Sequence, residues 1–454
     1  MKRLAVVILA AGEGTRMKSD MPKVLHKLSG MPLIKWVISS VSVMRPAKTV
    51  VIIGHKAEQV KKAFSGEKII FAEQEKQLGS GHALNKAARA LGNFKGNVLV
   101  VCGDAPLIKA STLKELVRIH GLHSNAVTVL SSFAPDPFGY GRIVRSHGGC
   151  FRAIVEEKDA SPEQKKVKEI NSGVYCFSSP LVWKILKKIS PDNIKKEYYL
   201  TDAVKILSGL GEKAEAVALA EFQETLGINN RSELAYAETV VRNKINLEWM
   251  IKGVTITDPA NTYISLQAKI GVDTVIHPGT VIEGATEIGS NCSVGPCSFI
   301  SNSLIGNGVE IRSSYIYDSL IADKAKVGPF AHLRPGTKLK AGSRVGNFSE
   351  VKNSVIGFGS KVSHLSYIGD SFLGENVNVG AGTITCNYDG IRKNKTVIGD
   401  RVFVGSNVNL VAPVKIGADV IIGAGSTITE NVPAKSLAIA RSRQTNKSRY
   451  VRKG

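Results

Sequence analysis

Between Ile270 and Ile428 the chain places an aliphatic residue at every sixth position. Ile270, Ile276, Ile282, Ile288, Val294 and Ile300 share one register, and Ile305 and Ile311 follow after a slip of one residue. Ile321, Val327, Leu333, Leu339, Val345 and Val351 form a second series. Ile356, Val362 and Ile368 come next, then Leu373 and Val379, then Ile398, Val404, Leu410, Ile416, Ile422 and Ile428. A period of six matches neither an amphipathic helix nor an alternating strand. It is the spacing of a parallel β-helix, in which each hexad is a short strand plus a turn with its aliphatic pointing inward. Gly often follows the aliphatic, as at Gly271, Gly289, Gly346, Gly357 and Gly380, which predicts turns that a Cβ would hinder. Each coil buries its faces against its neighbours, so only the stack is stable. Between Val379 and Ile398 the register is expected to fail, in a polar stretch with one aromatic and three cations.

The first half reads differently. Leu4 to Ala10 is a short run rich in β-branched residues. Further strands are predicted over Thr49–Ile53, Lys68–Phe71, Val98–Val101 and Ala126–Leu130, with helices over Leu33–Val43, His82–Leu91 and Ser111–His120 between them. That alternation predicts a mostly parallel sheet covered by helices. Leu234, Ala237, Val241 and Ile245 recur at helical spacing, so a helix is expected from Asn229 to about Lys252. The expected organisation is an α/β domain over 1–228, a helical linker over 229–252 and a β-helix domain over 253–454.

Composition narrows the class. The 454 residues are 43% hydrophobic, with mean hydropathy near zero, as in a soluble globular protein. No apolar run approaches the ~20 residues that cross a bilayer, so no membrane insertion is expected. The opening Met1-Lys2-Arg3 and its short apolar run end in a glycine loop without a cleavage pattern, which predicts a buried strand and not a signal peptide. Six scattered cysteines make no CxxC, which points away from zinc and disulfides and toward the cytoplasm. The net charge of +22 is dispersed, apart from the basic tail from Arg441 to Gly454. It suits anionic small substrates or a solvated basic surface, and no aromatic-interleaved basic motif points to nucleic acid.

The candidate chemistry starts where the first strand ends. Leu9-Ala10-Ala11-Gly12-Glu13-Gly14-Thr15-Arg16-Met17 precedes Pro22-Lys23. This is neither a Walker A loop nor a dinucleotide fingerprint, because Met17 stands where a third Gly would be. Glycines admit backbone N–H groups to phosphate oxygens, Arg16 can fork onto phosphates and Lys23 adds a point charge. Asp104 closes the run Val98 to Gly103 at a strand end, where open α/β sheets carry their sites, and so is a candidate Mg²⁺ ligand. The loop resembles the signature of sugar-1-phosphate nucleotidyltransferases. Gln74, Gln77 to His82 (with Gly79 and Ser80), Gly139 to Arg142, Val155-Glu156, Asn171 to Gly173, Glu197 to Asp202 and Gly227 to Arg231 resemble further stretches of the same family. The resemblance implies Leu9, Ala10, Ala11, Gly12, Lys23, Gln74, Gly79, Ser80, Gly141, Glu156, Asn171 and Asn229 as nucleotide and sugar contacts, Asp104 and Asn229 as Mg²⁺ ligands, and Lys23 and Arg16 as catalytic cations. Cys102 departs from the family, where an aromatic often precedes Gly-Asp.

The repeats resemble the left-handed β-helix of hexapeptide-repeat acyltransferases. With both halves matched, the chain resembles, over nearly its whole length, the bacterial bifunctional N-acetylglucosamine-1-phosphate uridylyltransferases and glucosamine-1-phosphate N-acetyltransferases. The fold so implied is an α/β (Rossmann-like) nucleotidyltransferase domain followed by a left-handed parallel β-helix. The resemblance further implies Arg334, Lys352, Tyr367 and Asn378 around glucosamine 1-phosphate, His364 as general base, and Asn387, Tyr388, Ser406, Ala424 and Arg441 around acetyl-CoA. An amine must be unprotonated to attack a thioester, for which His is suited, and Ser406 could donate to the oxyanion. Acetyl-CoA and UTP are the implied co-substrates, N-acetylglucosamine 1-phosphate the uridylyl acceptor, and a homotrimer the implied assembly. Two rivals remain: a nucleotidyltransferase whose β-helix only assembles it, and a nucleic-acid-binding protein with an inactive transferase domain. His364, Asn387-Tyr388 and Arg441 speak against the first, and the intact glycine loop, Lys23 and Asp104 against the second.

Overall fold

The computed structural model describes residues 3–218 and 221–448. Met1, Lys2 and the part of the basic tail beyond Ser448 lie outside them. The chain forms two compact units, Met1–Val241 and Arg242–Gly454. The division falls inside one helix, Arg231–Ile251. Its first half is tied into the first unit, where Glu238 accepts the Ser29 backbone N–H and hydroxyl at 2.6 and 2.9 Å. Its second half belongs to the β-helix, where fully buried Asn246 donates to the Pro259 and Thr262 carbonyls at 2.8 and 3.0 Å.

The first unit is built on strands β1 (Leu4–Ala10), β2 (Lys48–Ile53), β3 (Ile70–Glu73), β4 (Gly96–Cys102), β5 (Val127–Phe133), β6 (Glu169–Ser179) and β7 (Ala214–Ala218). They pair in the order β7-β5-β6-β4-β1-β2-β3, and only β6 runs antiparallel to its neighbours along this path. In β1 successive residues face opposite apolar layers. Ala5 and Val7 join one cluster with Leu84 and Ala87 of the helix Ser80–Leu91. Val6 and Ile8 join the other with Ile34 and Val37 of Leu33–Ser42 and Leu113 of Ala110–Leu122. A strand buried on both faces reads as a continuous apolar run, which is why Leu4 to Ala10 lacks alternation.

Two features depart from the sequence reading. The third strand is Ile70–Glu73 and not Lys68–Phe71, because pairing from Val50↔Ile70 to Ile53↔Glu73 carries it past its apolar residues. The long strand β6 was not predicted as one. Its ladder with β5 is interrupted between Asn171 and Tyr175, where Gly173 takes φ +77°. The polar Asn171-Ser172-Gly173 therefore sits in an irregular strand and not in a loop.

The second unit is a parallel β-helix of three sheets with 11, 10 and 9 strands. Every aliphatic in the hexad series is buried, from Ile270 (7% exposed) to Ile428 (5%). The stack also takes in Ile256, Ile264 and Ile316, which the six-residue reading left out. Ile316 lies five residues from both Ile311 and Ile321, so two shortened repeats in succession hid it. The interruption is also shorter than expected. Thr385 lies six residues beyond Val379, is fully buried and pairs with Leu410, so the register continues through a polar inward residue. The true insertion is the stretch from Asn387 to Lys395, closed by an antiparallel bridge between Tyr388 and Lys393.

Of the glycines after the aliphatics, Gly295 (φ +106°) and Gly328 (φ +94°) supply turn backbone, while the others serve close packing. A Cβ on Gly357 would lie 2.0 Å from the Gly374 carbonyl oxygen, and one on Gly346 2.1 Å from that of Ser363, in the next coil. Neither has positive φ. Further left-handed positions fall at residues such as Phe348 (φ +55°), Leu365 (φ +45°) and Asn407 (φ +54°).

Candidate active sites

In the first unit the glycine loop leaves the end of β1 at the C-terminal edge of the parallel strands. Gly14 has φ +66°, and a Cβ there would meet the Lys23 Cβ at 2.7 Å, so the loop can close onto Lys23 only with glycine at that position. A Cβ on Gly12 would meet nothing, which leaves its backbone open to a ligand. Met17, at the place where a dinucleotide loop would carry Gly, is 1% exposed and anchors the loop in the core. Arg16 and Lys23 project from two short 3₁₀ turns, Thr15–Met17 and Lys23–Leu25.

These two cations meet Asp104 and Asn229. The Lys23 ammonium is paired with Asp104 Oδ2 and donates to Asn229 Oδ1 at 3.1 Å. Arg16 Nη2 donates to the same Asn229 oxygen at 2.9 Å. Gly103 N–H bonds the Leu9 carbonyl at 2.8 Å and Ile228 N–H bonds the Asp104 carbonyl at 2.8 Å, which binds the three segments into one edge. One carboxylate oxygen and one amide oxygen thus converge on a cation position.

The other predicted contacts lie around this edge. Ala11 accepts from Gln77 Nε2 at 3.4 Å. Gln74, 3% exposed, donates to the Gly79 carbonyl at 3.1 Å and lies 2.9 Å from His82 Nδ1. Gly79 (φ +104°) packs where a Cβ would strike the Tyr198 backbone, and Ser80 Oγ accepts the Leu200 N–H at 3.0 Å. Gly141 accepts the Asn171 N–H at 2.9 Å, and a Cβ on it would lie 3.6 Å from the Glu156 carboxylate. Burial pushes the Glu156 pKa up, against the opposing pull of Lys195 and of the Thr201 hydroxyl, which donates at 3.3 Å. Asn171 Nδ2 donates to the Tyr175 hydroxyl at 2.7 Å. Arg142 is 1% exposed and is held by the Tyr140 carbonyl and Glu157, at 2.6 Å from the latter, so it serves the antiparallel pair of strands Arg142–Arg145 and Phe151–Val155. Cys102 faces the Gly173 carbonyl at 3.6 Å, and burial lifts its thiol to about 12, so it is inert.

In the second unit the strand registers stack the candidates in columns. Asn347 pairs with His364, and Val362↔Val379, Val379↔Val404 and Val404↔Ile422 carry the same column through Ser406 to Ala424. His364, Ser406 and Ala424 therefore occupy equivalent positions in their coils, two residues past an inward aliphatic, and all three are exposed. The Arg441 guanidinium donates to the Ala424 carbonyl at 2.9 Å. A second column holds Arg334 and Lys352, each just past an inward aliphatic. Arg334 is paired with Glu350 at 2.9 Å. Lys352 has its pKa lowered, first by the Lys393 side chain beside it and then by desolvation. Lys393 sits on the inserted hairpin, and no specific role was read for it from sequence. A cation on a loop that interrupts a repeat was the available signal. Tyr367 lies over Gly369, where a Cβ would meet its hydroxyl at 2.5 Å and Asn387 Nδ2 at 2.7 Å. Asn387 donates to Asp370 at 2.6 Å, and Tyr388, exposed on the hairpin, donates its hydroxyl to the Gly390 carbonyl at 2.6 Å. Asn378 sits between Lys361 and Phe403 in the first sheet.

A glycine-loop α/β site and a β-helix site with exposed His define a nucleotidyltransferase joined to a hexapeptide-repeat acyltransferase. The MobA-like NTP transferase domain matches residues 6–164, and the bacterial transferase hexapeptide (six repeats) matches 395–430, which makes the β-helix left-handed. The bifunctional protein GlmU of Caldanaerobacter subterraneus is 51% identical over 99% of this chain and 98% of its own length. Those of Geobacillus thermodenitrificans and Shouchella clausii are 50% and 49% identical, over 99% and 98% of this chain and 98% of theirs. The chain belongs to the bifunctional GlmU family. It is a bifunctional transferase of UDP-N-acetylglucosamine synthesis that acts on nucleotide and acetyl-CoA substrates.

Proposed function

We propose that the two reactions are run by the two clusters just described. In the first unit, UMP passes from UTP to N-acetylglucosamine 1-phosphate and pyrophosphate leaves. The sugar phosphate oxygen attacks the α-phosphorus in line, so positioning and charge stabilisation supply the catalysis. Gly12, Ala10 and Ala11 offer backbone to the nucleotide, Leu9 ends the strand that presents them, and Gln74, Gly79 and Ser80 shape the base pocket. Gly141, Glu156 and Asn171 contact the sugar. Arg16 and Lys23 stabilise charge on the phosphates. The observation that carries this reading is the convergence of Arg16, Lys23, Asp104 and Asn229. Asp104 and Asn229 would hold Mg²⁺, which keeps waters and phosphates among its ligands and asks for only one or two protein oxygens. The donor set fits, because both oxygens already face one cation, the Lys23 ammonium. When bound, the metal would supply neutralisation of phosphate charge.

In the second unit, acetyl passes from acetyl-CoA to the amine of glucosamine 1-phosphate. Arg334 and Lys352 take the phosphate, and the juxtaposed Lys352 and Lys393 support this, since two like charges side by side favour an anion between them. Tyr367 and Asn378 hold the sugar. His364 accepts the amine proton as the nitrogen attacks the thioester carbon. Ser406, two coils away or about 10 Å at the usual strand spacing, donates to the oxyanion. Asn387, Tyr388, Ala424 and Arg441 line the acetyl-CoA path. Among the described residues His364 makes no side-chain hydrogen bond, so its ring is available to substrate.

The working form is a homotrimer in the cytoplasm. Phe330, Phe348 and Leu365 support the assembly: they stand one above another in successive coils, all with positive φ and 57%, 61% and 62% exposed, the last next to His364. Bulky apolar residues rarely adopt that backbone. Six unpaired thiols support a reducing compartment. No described helix is long and apolar enough to cross a membrane. The test is an assay of the purified protein with glucosamine 1-phosphate, acetyl-CoA and UTP that follows CoA and pyrophosphate separately. Both should be released. Pyrophosphate that never forms, even when N-acetylglucosamine 1-phosphate is supplied, would refute the first assignment.

A further inference from the structure

We infer that Glu233 is a positioning residue for uridylyl transfer: it fixes which end of the Asn229 side-chain amide faces the metal position. Asn229 has a carbonyl oxygen and an NH₂ group of nearly the same shape, and only the oxygen can serve a cation. Glu233 Oε2 accepts both the Asn229 backbone N–H, at 2.7 Å, and its side-chain Nδ2, at 3.2 Å. The Gly227 carbonyl takes the other Nδ2 proton at 3.1 Å. An ionised carboxylate and a peptide carbonyl are acceptors only, so both NH₂ protons are drawn to one side. Oδ1 is left facing Arg16 Nη2 at 2.9 Å and the Lys23 ammonium at 3.1 Å. A flipped amide would set Oδ1 against the carboxylate and NH₂ against two cations.

Glu233 is itself held. Its Oε1 accepts Asn230 Nδ2 at 2.6 Å, and its backbone N–H donates to Asn230 Oδ1 at 2.9 Å. That reciprocal pair closes the start of the helix Arg231–Ile251 in the manner of a capping box. One side chain thus does two separable things: Oε1 caps the helix and Oε2 aims the ligand. A pure cap would need only the first. Partners that orient metal ligands are worth 10–100-fold in metal affinity or activity when removed.

This inference rests on the reading of Asp104 and Asn229 as the metal pair, and the experiment separates the two. Mn²⁺, an EPR-visible stand-in for Mg²⁺, is titrated into the full-length protein with UTP present, and bound metal is read from the loss of the free-ion signal. Asp104→Asn should weaken binding, and if it does not, the metal reading itself fails. Glu233→Gln brings an NH₂ group against Asn229 or Asn230, and should weaken Mn²⁺ binding roughly 10–100-fold. Its uridylyl transfer should recover at high Mg²⁺ and its acetyl transfer should match the parent. Asn230→Ala removes the partner of Oε1 and the acceptor of the Glu233 backbone N–H but leaves the Oε2 contacts to Asn229, so it should lower the melting temperature and leave the Mn²⁺ constant unchanged. Parent-like Mn²⁺ binding in Glu233→Gln, with Asp104→Asn impaired, would overturn the inference and spare the metal site. So would equal weakening in Asn230→Ala, which would reduce Glu233 to a helix cap.

Discussion

Glu156, in the proposed sugar site, carries a desolvation cost. Glu156 is largely removed from water, and desolvation is the first cause of its raised pKa. A carboxyl whose folded-state pKa lies above its unfolded value binds a proton more tightly when folded. Its favourable contribution is complete below the unfolded value and is lost as pH rises through the folded one. Glu156→Gln keeps an oxygen for the Thr201 hydroxyl and removes the buried charge. The variant should melt higher than the parent near pH 7, with the gap closing toward pH 4, and should lose uridylyl transfer. Thermal melts across that range check it, and a gap that widens on acidification would contradict the burial argument. The glycine loop, Lys23 and Asp104 stand out in the sequence by themselves, whereas Glu156 enters only through the family resemblance. The second partners were not legible. Thr201 reaches Glu156 across 45 residues of chain, and Glu233, only four residues past Asn229, takes its part through the atomic geometry of a helix start that residue types do not fix.

At the scale of elements, the β-helix shows how far one periodicity reaches. Most inward aliphatics were readable because burial selects one residue type at one spacing. Ile316 was missed because two repeats are a residue short, and Thr385 because a hydroxyl stands inside, where it donates to the Gly369 carbonyl at 3.3 Å and accepts the Gly369 N–H at 2.8 Å. β6 was missed for a related reason, since its bulged centre is polar. The glycines make the sharper point. If Gly357 only eased a turn, alanine would cost little. Its contact with the Gly374 carbonyl leaves no room for a methyl group. Gly357→Ala should therefore push adjacent coils apart and destabilise the second unit by about 1–3 kcal/mol, the usual range for overpacking. A denaturant midpoint for that unit equal to the parent's would show that the coils are not packed as described.

At the scale of the whole molecule the two units hold different chemistry and meet within one helix. Each has its own core and its own cluster of polar groups, so each activity should answer only to its own residues. Assembly belongs to this scale as well. In the proposed trimer the exposed ladder Phe330, Phe348 and Leu365 would gain an apolar covering, since a cyclic arrangement repeats one patch around an axis. Sedimentation equilibrium should give three times the chain mass, and Phe348→Asp should shift it toward monomer and depress acetyl transfer, because Leu365 of the same ladder adjoins His364. A monomeric parent at micromolar concentration would remove the trimer.

If two independent active sites share one chain, a substitution in each should abolish one product and spare the other. Asp104→Asn and His364→Ala are each assayed for pyrophosphate and CoA release, with glucosamine 1-phosphate, N-acetylglucosamine 1-phosphate, UTP and acetyl-CoA supplied and the melting temperature recorded on the same preparation. The account predicts that Asp104→Asn loses pyrophosphate release and keeps CoA release, while His364→Ala loses CoA release by roughly 10²–10⁴-fold, as expected for a general base, and keeps pyrophosphate release. Loss of both products in either variant at an unchanged melting temperature would contradict it, as would a His364→Ala protein that acetylates at the parent rate.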